Sequence, residues 1–182
     1  LEECKIEGLL LEARRYLGKK WILKVFSREL GLISLITTRS LSPFLLGEWV
    51  VRRGRGEMFS LIDFSLFDPL LGLRLSLKQL EAAGSIASDL LQTQLPEKKG
   101  VLLYELTRSY LKQITQSLKP EIYPLSFRLK LLMHEGHLDP ERLCEPLTRF
   151  ALARSFRGIE EAPLSNEEKR KISLLFQELA CH

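Results

Sequence analysis

The chain has 182 residues, of which 45% are hydrophobic and 27% charged. That is enough apolar material for one sizeable core or two small ones, and too much for a disordered segment. The net charge of +4 is unevenly spread: residues 1–56 hold 11 Lys/Arg against 6 Asp/Glu, whereas residues 57–182 hold 16 against 17. The basic surplus therefore belongs to the N-terminal third, an asymmetry that suits a polyanion partner for that part. Cys4, Cys144 and Cys181 are odd in number and scattered. They supply no disulfide framework and no CxxC pair, so a reducing, cytoplasmic setting is expected. No apolar run approaches the roughly 20 residues of a membrane helix, and the opening LEECKIEG lacks the charged and apolar regions of a signal peptide.

In chain order, the first 64 residues carry short apolar runs broken by turn residues. KIEGLLLEA, WILKVFS, GLISLIT, FLLGEWVVR and EMFSLIDF read as five strands, with joints at Gly18, Gly31, Pro43 and Gly54. Five short strands in about 60 residues without a long intervening helix favour a small barrel, the size and strand count of an OB-fold. Gly54 and Gly56 are expected to supply positive φ for the last strand reversal.

Beyond DPLLGLR the period becomes helical. Leu73, Leu77, Leu80, Gly84, Ala87 and Leu91 share one predicted helical face; Leu103, Leu106, Tyr110, Ile114 and Leu118 form a second stripe, bracketed by Pro96 and Pro120. A third helix is expected over 122–135 with Gly136 as its stop, and a fourth over 141–154 carrying Leu143, Leu147, Phe150 and Ala151. In the last helix Ser165 and Glu168 form a capping box ahead of Ile172, Leu175, Phe176 and Leu179. The expected fold is α+β: a five-stranded OB-fold barrel over residues 1–70, followed by an all-helical domain over 71–182.

No catalytic signature is present in the sequence. RRGRGE lies between strands, whereas a phosphate-binding loop opens a helix and ends in Lys-Ser/Thr; nucleophile-elbow and HExxH motifs are absent. His134, His137, Asp139 and Cys144 fall within eleven positions, but a structural zinc site wants two close ligand pairs. A helix end with solvated histidines is the expected reading, and neither metal nor cofactor is expected. A non-catalytic nucleic-acid binder fits better. Arg14, Arg15, Lys19 and Lys20 flank the first strand joint, Lys24 follows, and Arg52, Arg53 and Arg55 crowd the later hairpin. Such groups track a backbone while aromatics stack on bases. Trp21, Trp49, Phe26 and Phe59 are the local aromatics, each expected in the core before the surface.

The order of these residues resembles the bacterial recombination mediator family RecO. The resemblance rests on EGLLLEARRYLGKKWILKVFSRELGLISL, in which Leu11 to Arg14, Leu17-Gly18, Val25-Phe26-Ser27 and Glu29-x-Gly31 match the family's opening strands. Pro43-Phe44 and FDPLLGLRLSLKQLEAAGSIASDLL, with Phe67, Leu73-Arg74 and Ala82-Ala83, continue it to about residue 95. The resemblance implies an OB-fold, a helical domain and a non-enzymatic role: binding single- and double-stranded DNA, annealing strands, partnering RecR, engaging the acidic tail of the single-stranded-DNA-binding protein SSB, and helping the recombinase replace it in the nucleoid. Arg39 and Arg74 then join the eight basic residues above as expected DNA contacts. Arg108, Lys112, Arg128 and Lys130 become candidates for the acidic tail. Three positions depart from the family pattern. Only Arg39 remains of a basic loop after the third strand, Lys19 replaces a turn Glu, and Leu147 stands where a zinc-knuckle partner of Cys144 would be, so the knuckle is expected to be absent. A protein-interaction adaptor of the same fold, with DNA binding weak or lost, is the alternative.

Overall fold

The computed structural model describes residues 2–54 and 56–180. Five strands form a closed barrel: β1 (Glu3–Arg15), β2 (Trp21–Ser27), β3 (Gly31–Thr37), β4 (Leu46–Arg53) and β5 (Phe59–Asp68), in the order β1-β2-β3-β5-β4. Closure depends on β1 serving two neighbours. Its first half pairs with β4, Glu3 opposite Arg52 through Leu9 opposite Leu46, and its second half pairs with β2 as far as Arg15 opposite Trp21. A register shift between Leu10 and Glu12 marks the bend that lets one strand do both. The seam is a short parallel contact of β3 with β5, Leu35 opposite Phe59 and Ile36 opposite Ser60.

Alternate residues of each strand fill the barrel: Ile6, Leu10, Leu23, Val25, Ile33, Leu35, Trp49, Val51 and Phe59 form one buried cluster. Trp49 is fully buried, donates its indole N–H to the carbonyl of Gly8 at 2.9 Å, and lies 4.2 Å from the Phe64 ring between centroids. The hairpin glycines behave differently from expectation. Among the described glycines, positive φ occurs at Gly18, Gly31 and Gly136, but not at Gly54. Gly54 answers to space instead, since a Cβ there would meet the Met58 carbonyl oxygen at 2.8 Å.

Among the described residues six α-helices follow: α1 (Leu77–Thr93), α2 (Val101–Ile114), α3 (Ile122–His134), α4 (Glu145–Ala151), α5 (Phe156–Glu160) and α6 (Asn166–Ala180). The chain divides into two compact units, Leu1–Leu71 with Gln94–Arg108, and Gly72–Thr93 with Ser109–His182. The division is not a single cut near residue 70, because the segment around the start of α2 returns to the barrel. There Pro96 bridges to Leu32, Glu97 N–H donates to Leu32 at 2.9 Å, and the Tyr104 ring sits 6.1 Å from Phe26. Gly31 permits this approach twice over: its φ is +71°, and a Cβ would fall 2.1 Å from the Lys98 carbonyl oxygen.

In the helical unit α3 packs against α1, α4, α5 and α6. Tyr110, Tyr123, Phe127 and Phe156 meet edge-on with centroids 5.3–6.0 Å apart. Arg128 of α3 binds Asp89 of α1 at 2.9 and 3.2 Å and lies 5.3 Å over the Phe176 ring of α6. Burial pushes the Asp89 carboxyl up despite that guanidinium.

Several helical expectations are corrected. In α1 the buried face is Ala82, Ala83, Ile86, Ala87, Asp89 and Leu90, while Leu77 and Leu80 are exposed. Of the expected stripe, Leu73 and Ala87 are buried and Gly84 and Leu91 half-buried, so only its first helical turn, at Leu77 and Leu80, lies in solvent. Leu118 is exposed because α2 ends at Ile114, after which the Ser117 hydroxyl accepts the Lys119 N–H. The expected 141–154 helix is a 3₁₀ turn, Pro140–Arg142, followed by α4, with Pro146 in the first turn of α4. The short helix α5, capped by Ser155 accepting from Gly158 N–H, was not anticipated. The Ser165–Glu168 box is present in both directions, at 2.7 and 3.2 Å. Among the described residues no helix is long and apolar enough to cross a membrane.

Candidate nucleic-acid interface

The β1–β2 hairpin holds the densest exposed charge of the barrel unit. The ladder runs out to Arg15 opposite Trp21 and continues with Tyr16 N–H donating to Lys20 at 2.8 Å; Gly18, at φ +63°, turns the chain. Residues 14–20 are all exposed. Arg14, Arg15, Lys19 and Lys20 make no ion pair among the described residues. Lys24, further along β2, donates to the Ser34 hydroxyl at 2.8 Å.

Strand alternation sets which side chains this hairpin shows. Leu23, Val25, Ile33 and Leu35 point into the barrel, so Ile22, Lys24, Ser34 and Ile36 point outward and are partly exposed. Arg14 is paired with Ile22, and Ile22 with Ile36, so these form one row across the outer face. The other end of this face, at Phe26 and Leu32, is covered by the segment Gln94–Arg108 of the same unit. The uncovered end continues into a groove of about 400 Å³ lined by Lys20, Ile36, Thr37, Thr38, Arg39, Leu61 and Ile62.

The β4–β5 hairpin carries comparable charge, differently placed. Arg52 is ion-paired with Glu3, directly opposite on β1; Arg53 is paired with Glu97 and lies 4.7 Å over the Phe59 ring. Arg55 lies outside the described residues. Arg39 is held by Asp63 at 3.2 Å; the Phe64 backbone N–H first, and Arg39 second, keep that carboxyl below its ordinary range. Arg74 ends a 3₁₀ turn, Leu71–Arg74, and belongs to the helical unit rather than the barrel.

Of the four helix cations, Arg108 belongs to the barrel unit and Lys112, Arg128 and Lys130 to the helical unit. Arg108 bonds Glu7 at 3.0 Å and Glu105 at 3.1 Å within the barrel unit. Arg128 is spent on Asp89, and Lys130 donates to the carbonyls of Ala151 and Ala153 at 3.2 and 2.8 Å, with burial pushing its amine down. Lys112 sits exposed in the last turn of α2. Around the weighed metal cluster, the Asp139 carboxylate caps the Glu141 N–H, and His134, His137 and Cys144 are exposed. Among the described residues no three His, Cys, Asp or Glu side chains gather in a metal-holding group.

Of the aromatics singled out from sequence, Trp49, Phe26 and Phe59 are buried, and Trp21 is half-buried against the barrel core. The exposed aromatic of the basic hairpin is Tyr16, beside an exposed Leu17. Sequence reading passed over it, although Arg-Arg-Tyr-Leu-Gly-Lys-Lys places a ring at the turn, where no core is available to take it.

A small closed barrel thus carries a basic hairpin, with no ion pair at Arg14, Arg15, Lys19 or Lys20 among the described residues, beside a partly apolar outer face. Comparison with known proteins finds relatives that share one name. The chain is similar to a protein named DNA repair protein RecO from Chlamydia trachomatis serovar D, 27% identical over 177 residues, covering 88% of this chain and 73% of that one. It is also similar to the proteins of that name from Chlamydia pneumoniae, 28% identical over 149 residues, and from Chlamydia trachomatis serovar L2, 29% identical over 123 residues. Those alignments cover 76% and 68% of this chain, but the chain spans only 59% and 51% of those two relatives. No family model matches the chain.

Proposed function

We propose that this chain is a non-enzymatic DNA repair protein of the RecO type, that its barrel is an OB-fold, and that it binds DNA along the outer face of β2–β3 beside the β1–β2 hairpin. The observation that carries the reading is the set of four exposed cations, Arg14, Arg15, Lys19 and Lys20, with no ion pair among the described residues, on the hairpin that borders the uncovered end of that face. The strand order β1-β2-β3-β5-β4 with β3 parallel to β5 supports the OB-fold assignment. In such folds the face of strands 2 and 3, framed by the loops between strands 1–2 and 4–5, takes oligonucleotides. Phosphate contact supplies most of the affinity, because each neutralised phosphate releases counterions.

The reading extends to the family's wider role. The barrel holds DNA for annealing and for recombinase loading in the nucleoid of the cytoplasm, while the helical unit meets RecR and the SSB tail. The adaptor reading retains one observation in its favour: Arg52, Arg53 and Arg39 each face a carboxylate, which lowers the net field of the barrel.

Fluorescence anisotropy of a labelled single strand across a salt series tests the proposal. The Arg14→Ala/Arg15→Ala/Lys19→Ala/Lys20→Ala variant should lose affinity, and its log–log salt slope should flatten by about 0.7 for each phosphate contact removed. Absence of binding by the unaltered chain at low salt would withdraw the DNA assignment and leave the adaptor.

A further inference from the structure

The site proposed above contains one group that charge does not account for. Tyr16 is 43% exposed, makes no ring contact among the described residues, and sits opposite Lys20 at the end of the ladder. By strand alternation it falls on the same outer face as Arg14, two residues earlier. The exposed part of the ring leaves apolar surface that a ligand can cover. Arg14 and Lys20 flank the ring, and Lys24 lies further along the same face, opposite Glu12 and bonded to Ser34, so cations outnumber the one carboxylate there and suit an anionic ligand. The other exposed aromatic of the barrel unit, Phe67, is flanked by Leu66 and Asp68 at the far end of β5 and lacks this setting.

We infer that the Tyr16 ring is a stacking platform for an unpaired base, with Arg14, Lys20 and Lys24 holding the adjoining phosphates, so that the hairpin selects single-stranded over duplex DNA. The inference rests on the DNA-binding reading above and adds the class of strand. Each base of a single strand offers a free face, whereas a duplex buries those faces in its own stack; phosphate contacts alone make no such distinction. The cover over Phe26 and Leu32 directs the strand to this end of the face, because the other end is occupied by the chain itself.

The test compares a mixed-sequence single strand with its own duplex, bound to the full chain and to Tyr16→Ala, Tyr16→Phe and Arg14→Ala. In Tyr16→Ala the ratio of single-strand to duplex affinity should fall about five- to 150-fold, the range that one lost base–aromatic stack produces, with the salt slope retained. Tyr16→Phe keeps the ring and should restore the ratio. Arg14→Ala should instead flatten the slope for both ligands. An unchanged ratio in Tyr16→Ala, equal losses for strand and duplex, or a Phe variant behaving like Ala would each overturn the platform. In those cases the Arg14→Ala slope still reports whether the hairpin binds DNA, so the two readings fail separately. If the unaltered chain binds neither ligand, both fall.

Discussion

The β1–β2 and β4–β5 hairpins look alike in sequence, each an arginine-rich turn around glycine between apolar strands, yet they differ in what they can offer a ligand. At the first, four cations face solvent with no ion pair among the described residues, although Glu12 lies two residues before Arg14 on β1. At the second, Arg52 and Arg53 are claimed by Glu3 and Glu97, residues 49 and 44 positions away. Barrel closure is the cause, since β1 pairs with β4 so that Glu3 faces Arg52, and the segment before α2 returns to bring Glu97 to Arg53. Such exposed pairs stabilise little, about 0–1 kcal/mol each, but they change the local field that a phosphate would meet. Counting cations in a sequence therefore measures charge present, not charge available.

The largest expected effect removes the frame common to both hairpins. Trp49→Ala empties the barrel centre and strands the Gly8 carbonyl, and should cost about 3–5 kcal/mol in denaturant unfolding; a loss under 1 kcal/mol would mean that the barrel core is not where the structure puts it. Next comes the contrast itself: alanines at Arg14, Arg15, Lys19 and Lys20 should flatten the salt slope more than alanines at Arg52 and Arg53. A smaller change should break the difference from the other side. Glu3→Ala/Glu97→Ala releases the second pair and should steepen the slope by up to about 0.7 for each arginine that then reaches a phosphate. No change there would show that the second hairpin lies off the DNA path, whatever its charge.

The smallest effect concerns Arg39. The Phe64 backbone N–H, and Arg39 after it, hold the partner carboxyl Asp63 below its ordinary value of 3.8, so the carboxylate's contribution to stability is present above that pH and is lost as pH falls through the depressed value. Asp63→Asn should remove that acid-limb dependence, seen in acid unfolding, and should free Arg39 at the groove. An unaltered acid limb would show that Asp63 does not contribute to it.

The strands were legible because period-2 alternation and turn residues act locally, and all five appear where the sequence put them. The bend of β1 and the extension of β5 to Asp68 left no local mark, since both are imposed by closure. Gly136 and the Ser165–Glu168 box were legible as backbone chemistry confined to a few residues. The buried face of α1 was not: it is built from alanines and Asp89, and Asp89 is acceptable there only because Arg128, 39 positions away, turns towards it. The cover over Phe26 looked like a linker, because LPEKKG shows no sign of its contacts with Leu32 and Lys98 does not reveal how closely Gly31 approaches it. At the candidate interface the basic residues were legible and their pairing was not. Tyr16 carries no strand signal, because it lies at the turn, outside the alternating runs.

Backbone amide shifts of the isotopically labelled chain, followed during titration with a short single strand, test the central claim most directly. The account predicts shifts concentrated at residues 14–24 and 34–39, with little change at 50–53. Shifts confined to the β4–β5 hairpin, or none in the barrel at saturating strand, would contradict it.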